Sequence, residues 1–169
     1  MEKKITVFSK ILFDDFCKKQ KFDDSNVENV NDIAFISIIG TENCQKYYLN
    51  EIEEHFFKEN HSNVINLEFD DIDHDIDYDG HKLLSLSNKQ ANDLFNFIEN
   101  NIDKNFVIHC RAGMSRSGAV GQFIFNMYNT HDKLIVKNKA NGRIMPNANV
   151  LVLLKNQYYK KYGIPFSEN

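Results

Sequence analysis

The stretch Val107-Ile108-His109-Cys110-Arg111-Ala112-Gly113-Met114-Ser115-Arg116-Ser117-Gly118 leaves this chain few ways to fold. It predicts a short apolar strand, a tight loop and the first turn of a helix, in that order. A cysteine opens the loop and an arginine closes it, with five residues between them. That spacing suits the holding of a tetrahedral oxyanion against a thiolate.

The chemistry follows from the residue types. The thiolate is the reactive form of cysteine, and an unperturbed thiol is mostly protonated at neutral pH. Cys110 is expected just before a helix N-terminus, where unpaired N–H groups and the helix dipole favour negative charge. Ala112, Gly113 and Ser115 are small, so the backbone of Arg111, Ala112, Gly113, Met114 and Ser115 can curl with its N–H groups inward as an anion nest. Arg116 adds a planar fork that grips two phosphate oxygens. The same donors stabilise the charge of a phosphoryl-transfer transition state. Cys110 is then placed to attack phosphorus and form a phosphocysteine. Ser117 can hydrogen-bond the sulfur and help it leave. His109 alternates to the other face of the strand end and is expected to orient the loop rather than touch substrate.

His109-Cys110-x5-Arg116-Ser117 resembles the signature of the cysteine-dependent protein phosphatases. The run HCRAGMSRSG is especially similar to their compact dual-specificity branch. The resemblance implies that Cys110 is the nucleophile, Arg116 the phosphate clamp and Ser117 the leaving-group helper. It covers residues 33–162, and it implies an α/β fold that needs no metal and no other cofactor.

The leaving oxygen of a phosphate ester must also be protonated, and a loop aspartate can act as that general acid and later as base. The resemblance puts it just after the strand that precedes the long helix. Six aspartates lie within residues 70–79. Asp71, directly after Val64-Ile65-Asn66-Leu67-Glu68-Phe69-Asp70, matches by position, with Asp70 second. Asp71 stands 39 residues before Cys110, more than the compact branch usually has, and Asp77 or Asp79 fits the simple count better. The rest of the run reads as a solvated acidic loop. Asp75-x-Asp77-x-Asp79-Gly80 matches half of a calcium loop, but the twelfth position, which needs a bidentate Glu, is Leu86.

Around this centre, Lys4–Phe8, Ile33–Ile39, Val64–Phe69 and Asn105–Ile108 read as strands. Ile33–Ile39 is apolar almost throughout, as a strand covered on both faces requires. A helix is expected from Ser9 to about Gln20, with Ile11, Leu12, Phe16 and Cys17 on its inner face. A second begins at the capping box Ser87-x-x-Gln90 and runs to about Ile102. A third, from Ser117 to about Asn129, is apolar nearly all round and therefore buried. Residues 51–60 read as a short helix or an irregular arm, and residues 129–139 as polar surface. In Asn141-Gly142-Arg143-Ile144-Met145-Pro146-Asn147, the resemblance makes Asn147 a brace for the active-site loops. Its type alone makes it the N-cap of the last helix, which stops near Gly163.

The 169 residues suit one domain spanning 1–169. Alternating strands and helices predict a single-domain α/β fold with a mainly parallel central sheet and helices on both faces. The net charge of −4 leaves no electrostatic footprint for nucleic acid. No apolar run approaches the ~20 residues that span a bilayer. Three cysteines fit a reducing cytoplasm better than a disulfide framework, although Cys44 is a candidate for a reversible bridge to Cys110. The expectation is thus a cytoplasmic protein tyrosine or dual-specificity phosphatase acting on a phosphoprotein, without nucleic-acid or membrane partners. Two alternatives stand beside it. One is a phosphate-binding module without turnover. The other is the same site acting on an RNA 5′-phosphate, for which the acidic chain offers no basic track, or on a phosphoinositide, against which Met114 counts, because it stands where a second basic group beside Arg111 is expected.

Overall fold

Five of the strands form one sheet, and its inner strands are covered on both sides. The computed structural model describes residues 3–128 and 131–166. β1 (Lys3–Ser9), β2 (Ile33–Ile39), β3 (Val64–Glu68), β6 (Asn105–Cys110) and β7 (His131–Lys137) lie in the order β3-β2-β6-β1-β7, every pair parallel. β6 is the middle strand. Ser9 and Cys110 stand side by side at its carboxyl end, as do Ser37 and His109 on the other flank.

The pleat sorts side chains between two cores. Phe106, Ile108 and Cys110 face one, which is filled by α3 (Asn88–Asn100), α4 (Arg116–Tyr128) and α5 (Ala148–Tyr162). Val107 faces the other, with Phe8, Phe35, Phe57 and the α1 (Lys10–Gln20) residues Phe13 and Cys17. Helices therefore cover both faces, and the apolar run of β2 is buried from Ala34 onward. α4 buries Ala119, Val120, Phe123 and Ile124 completely. It lies so close to β1 that a Cβ on Gly121 would come within 2.7 Å of Val7 Cγ2.

Four local readings are corrected. Residues 131–137 are not polar surface but the edge strand β7, carried by Leu134-Ile135-Val136; a β-branched core outweighs polar flanks. The inner face of α1 is Phe13 and Cys17, while Ile11 and Leu12 are exposed, so the helix is rotated from the expected stripe. Cys44 lies not in a polar turn but in the single helical turn α2 (Glu42–Cys44), which runs on into a wider turn over Gln45–Leu49. The acidic run is not an open loop: β4 (Ile76–Tyr78) and β5 (His81–Leu83) make an antiparallel hairpin turned by Asp79-Gly80, both with positive φ. Residues 51–60 are the irregular arm, and α3 opens on the expected capping box, with Ser87 Oγ accepting from the Gln90 amide and Gln90 Oε1 from the Ser87 amide.

Candidate active site

β6 delivers Cys110 to the carboxyl end of the sheet, where open α/β folds take ligands. Cys110 is 2% exposed, and Ser117 Oγ donates to its Sγ at 3.0 Å. Residues 111–115 then loop over to Arg116, the first residue of α4.

The orientation of this loop can be read from its carbonyls. The Arg111 carbonyl accepts from the Lys10 amide at 3.1 Å, and the Gly113 carbonyl from Asn138 Nδ2 at 2.8 Å. The Met114 carbonyl accepts from the Met145 amide at 3.2 Å. The Ser115 carbonyl accepts from the Ala119 and Asn147 amides at 2.8 and 3.3 Å. All peptide bonds here are trans, so each carbonyl points opposite to the following N–H. The N–H groups of Ala112, Met114, Ser115 and Arg116 are therefore turned away from the scaffold, toward the inside of the loop. Among the described residues, nothing accepts from the amides of Ala112, Gly113, Met114 or Ser115. The loop thus has the backbone geometry of an anion nest, with its outer surface bolted down.

Gly113 is required by this arrangement. Its φ is +70°, and a Cβ there would lie 2.5 Å from the Ser9 nitrogen and 2.6 Å from the Phe8 carbonyl carbon. No side chain fits against the backbone of β1 at that distance. Arg116 is 6% exposed; Nη1 donates to the Phe69 carbonyl at 2.7 Å and the guanidinium lies 6.0 Å from the Phe69 ring centre. Its Nε is buried without a hydrogen-bond partner. A buried N–H of a cation is costly to leave unmet, and an anion in the nest would meet it.

Asp71, Ser115 and Asn147 come together across 76 residues of sequence. Ser115 Oγ donates to Asp71 Oδ1 at 2.6 Å, and Asn147 Nδ2 donates to the same oxygen at 2.9 Å. Asn147 Oδ1 accepts from the Val150 amide at 3.0 Å, so one side chain caps α5 and holds Asp71 to the loop. Asp71 Oδ2 has no partner among the described residues. Asp70, by contrast, is a fully engaged structural carboxylate. It is 2% exposed and accepts from the Thr41 amide, Thr41 Oγ1 and the Leu84 amide at 2.7–2.8 Å. Asp77 and Asp79 belong to the exposed hairpin. That hairpin accounts for the long count from Asp71 to Cys110: it is looped out between Asp71 and Leu84, and Asp70 stitches its base shut.

His109 is wholly buried, and its Nε2 lies 2.7 Å from Ser37 Oγ. The Phe13 ring packs 4.2 Å from its own. Burial, reinforced by Lys10, His55 and Arg116, holds it well below the usual imidazole range, so it is neutral. The guanidinium of Arg111 is taken by Glu51 and Glu53, at 2.7 and 3.1 Å, so Arg111 serves the loop through its backbone. All three cysteines are free thiols. Burial and the neighbouring Asp70 push Cys44 up to about 11, which disfavours its reactive form.

Sequence reasoning missed Asn138, Ser37 and His55. Asn138 also accepts from the Ala140 and Gly142 amides and so shapes the turn that touches Gly113. The dipeptide Asn141-Gly142, both residues at positive φ, was the signal for that turn. Ser37 is one polar residue in an apolar strand, which is the mark of a buried hydrogen bond.

A cleft of about 950 Å³ adjoins the loop at Arg111, Ala112 and Met114. Three of its four cations are neutralised within it, Lys10 by Asp14, Lys58 by Glu54 and Arg111 by Glu51 and Glu53, while Lys139 has no ion pair among the described residues. No helix among the described residues is long and apolar enough to cross a membrane. Comparison with protein-family models, curated proteins and solved structures returns no match for this chain.

Proposed function

We propose that this protein is a cysteine-dependent phosphatase of the protein tyrosine or dual-specificity type, working through a phosphocysteine. The observation that carries the reading is the set of inward, unmet amides around a thiol, closed by a buried arginine with an unmet Nε. In the first step the Cys110 thiolate attacks phosphorus and the bond to the leaving oxygen breaks. Asp71 gives its proton to that oxygen, and the nest and Arg116 hold the equatorial oxygens. In the second step a water attacks phosphorus, Asp71 takes its proton, and the phosphorus–sulfur bond breaks. Ser117 Oγ stabilises the departing thiolate.

The cleft beside the loop favours a monoester on an uncharged body, such as phosphotyrosine in a protein, over an RNA or a phosphoinositide. A polyanion needs several free cations, and three of the cleft's four, all but Lys139, are paired with carboxylates. Three free thiols suit a reducing compartment such as the cytoplasm.

The test is hydrolysis of a small aryl phosphate in EDTA and reductant, by wild type and by Cys110→Ser. The expected result is turnover by the first and none by the second. Phosphate binding without turnover in the wild type would assign a binding module instead, and equal activity in both would remove Cys110 from the mechanism.

A further inference from the structure

Both neighbours of Cys110 are held by one segment, the arm at residues 51–55. On the far side of the cysteine, Arg111 is forked between Glu51 and Glu53. On the near side, His109 Nε2 meets Ser37 Oγ at 2.7 Å, and the same hydroxyl meets His55 Nδ1 at 2.7 Å. The Arg111–Glu51 pair is a surface contact, its side chains 35% and 64% exposed, but the others are not. His109 and Ser37 are fully buried, and the side chains of Glu53 and His55 are 8% and 12% exposed. The arm has its own anchors: the Glu53 amide donates to Gln45 Oε1, Gln45 Nε2 donates to the Gly40 carbonyl, and Phe57 is buried against Phe13 and Phe35.

The His–Ser–His chain needs a bare nitrogen facing Ser37 Oγ on at least one of the two rings. A neutral imidazole has one donor and one acceptor nitrogen, and a hydroxyl between two rings donates to one and accepts from the other. Burial disfavours the charged form of both rings; His55 is brought down to about 4 by burial, with Lys10 and Lys58 adding to it.

We infer that Ser37, His55 and Glu53 are positioning residues for Cys110: the arm fixes the backbone on both sides of the nucleophile and so sets the aim of its sulfur. The inference rests on the reading of Cys110 as nucleophile. Covering the aromatic core does not explain the two contacts, because Phe56 and Phe57 already do that.

The experiment compares His55→Asn, which keeps a hydrogen-bonding group near the place of Nδ1, with His55→Leu, which removes it. The readouts are kcat and KM for a small aryl phosphate, the rate of Cys110 alkylation by iodoacetamide, and the thermal midpoint. His55→Leu is expected to lower kcat about 10-fold with KM within twofold, because misaim acts on the transition state. His55→Asn is expected to restore most of that loss, and Glu53→Gln to lower kcat severalfold without touching the core. A lower thermal midpoint with kcat unchanged, or equal loss in both His55 variants, would overturn the inference. Where His55→Leu does not fold, an unchanged kcat in Glu53→Gln would do so. If the wild type hydrolyses nothing, the phosphatase reading fails; alkylation rates then decide, and a rate unaltered in His55→Leu and Glu53→Gln overturns the positioning role as well.

Discussion

Two segments leave the carboxyl edge of the sheet from neighbouring regions and are built in opposite ways. The loop after β6 is short, and four of its carbonyls are tied to the scaffold. The excursion after β3 is long, and nearly every residue from Asp73 to Gly80 is exposed. It belongs to no larger sheet, and a lone two-stranded hairpin is marginal in water. It leans on Tyr47, stacked 3.5 Å from His81, and is closed at its base by Asp70. The comparison teaches where rigidity is placed. A nest stabilises a transition state only if its dipoles are already aimed, so the loop is over-determined and the hairpin is not.

The strongest way to break the contrast is Gly113→Ala. The added carbon meets backbone at 2.5 Å, which nothing nearby can yield, and the positive φ adds strain. The variant is expected to lose at least about 2 kcal/mol of stability and essentially all aryl phosphatase activity. Denaturant unfolding and single-turnover hydrolysis check both. An Ala at Gly80, also at positive φ but with open space around it, is expected to cost about 1 kcal/mol and no activity.

Next in size is the proposed general acid. Asp71→Asn is expected to lower kcat about 10²-fold or more with binding kept, whereas Asp77→Asn leaves kcat unchanged. The reverse pattern would move the acid onto the hairpin and erase the functional difference between the two segments.

The same contrast explains what was legible in the sequence. The loop's chemistry sits in consecutive residues, and its spacing alone locates Cys110, Arg116 and Ser117. The strand before Asp71 was readable too, because its apolar run is local and does not depend on the hairpin that follows it. Ser37, His55 and Asn138 were not readable as partners of the loop, since each reaches it from another element and nothing local marks the pairing. β7 was missed because its flanks are polar, and the β4–β5 hairpin because a run of aspartates masked its Asp79-Gly80 turn.

A smaller effect tests the clamp at the hairpin base. In Asp70→Asn an amide N–H₂ faces donors that now meet a carboxylate, at a cost of about 2 kcal/mol. Proteolysis within residues 73–80 should quicken while the 111–116 loop stays protected. Equal exposure of both would show that the two segments are not independent.

The smallest effect comes from the buried histidines. His55 and His109 are held below their unfolded range chiefly by burial, so the folded state resists their protonation. Folded-state preference for the neutral ring means that the unfolded chain binds more protons as pH falls. Their contribution is complete above about pH 6.5 and is lost downward, through about 4 for His55. The charges around them are Lys10 and Lys58 beside His55, with Glu68 at 3.9 Å from its Nε2, and Lys10 and Arg116 around His109. Denaturant midpoints between pH 7.5 and 5 are therefore expected to fall in the wild type and to fall less in His55→Asn, which has one fewer ring to charge. Tyr78→Ala in the hairpin is expected to leave that slope as it is, because the histidines act on the floor of the nucleophile loop and the hairpin does not. Equal slopes for wild type and His55→Asn would mean that His55 is not the group being titrated, and the pH dependence would then fall to His109.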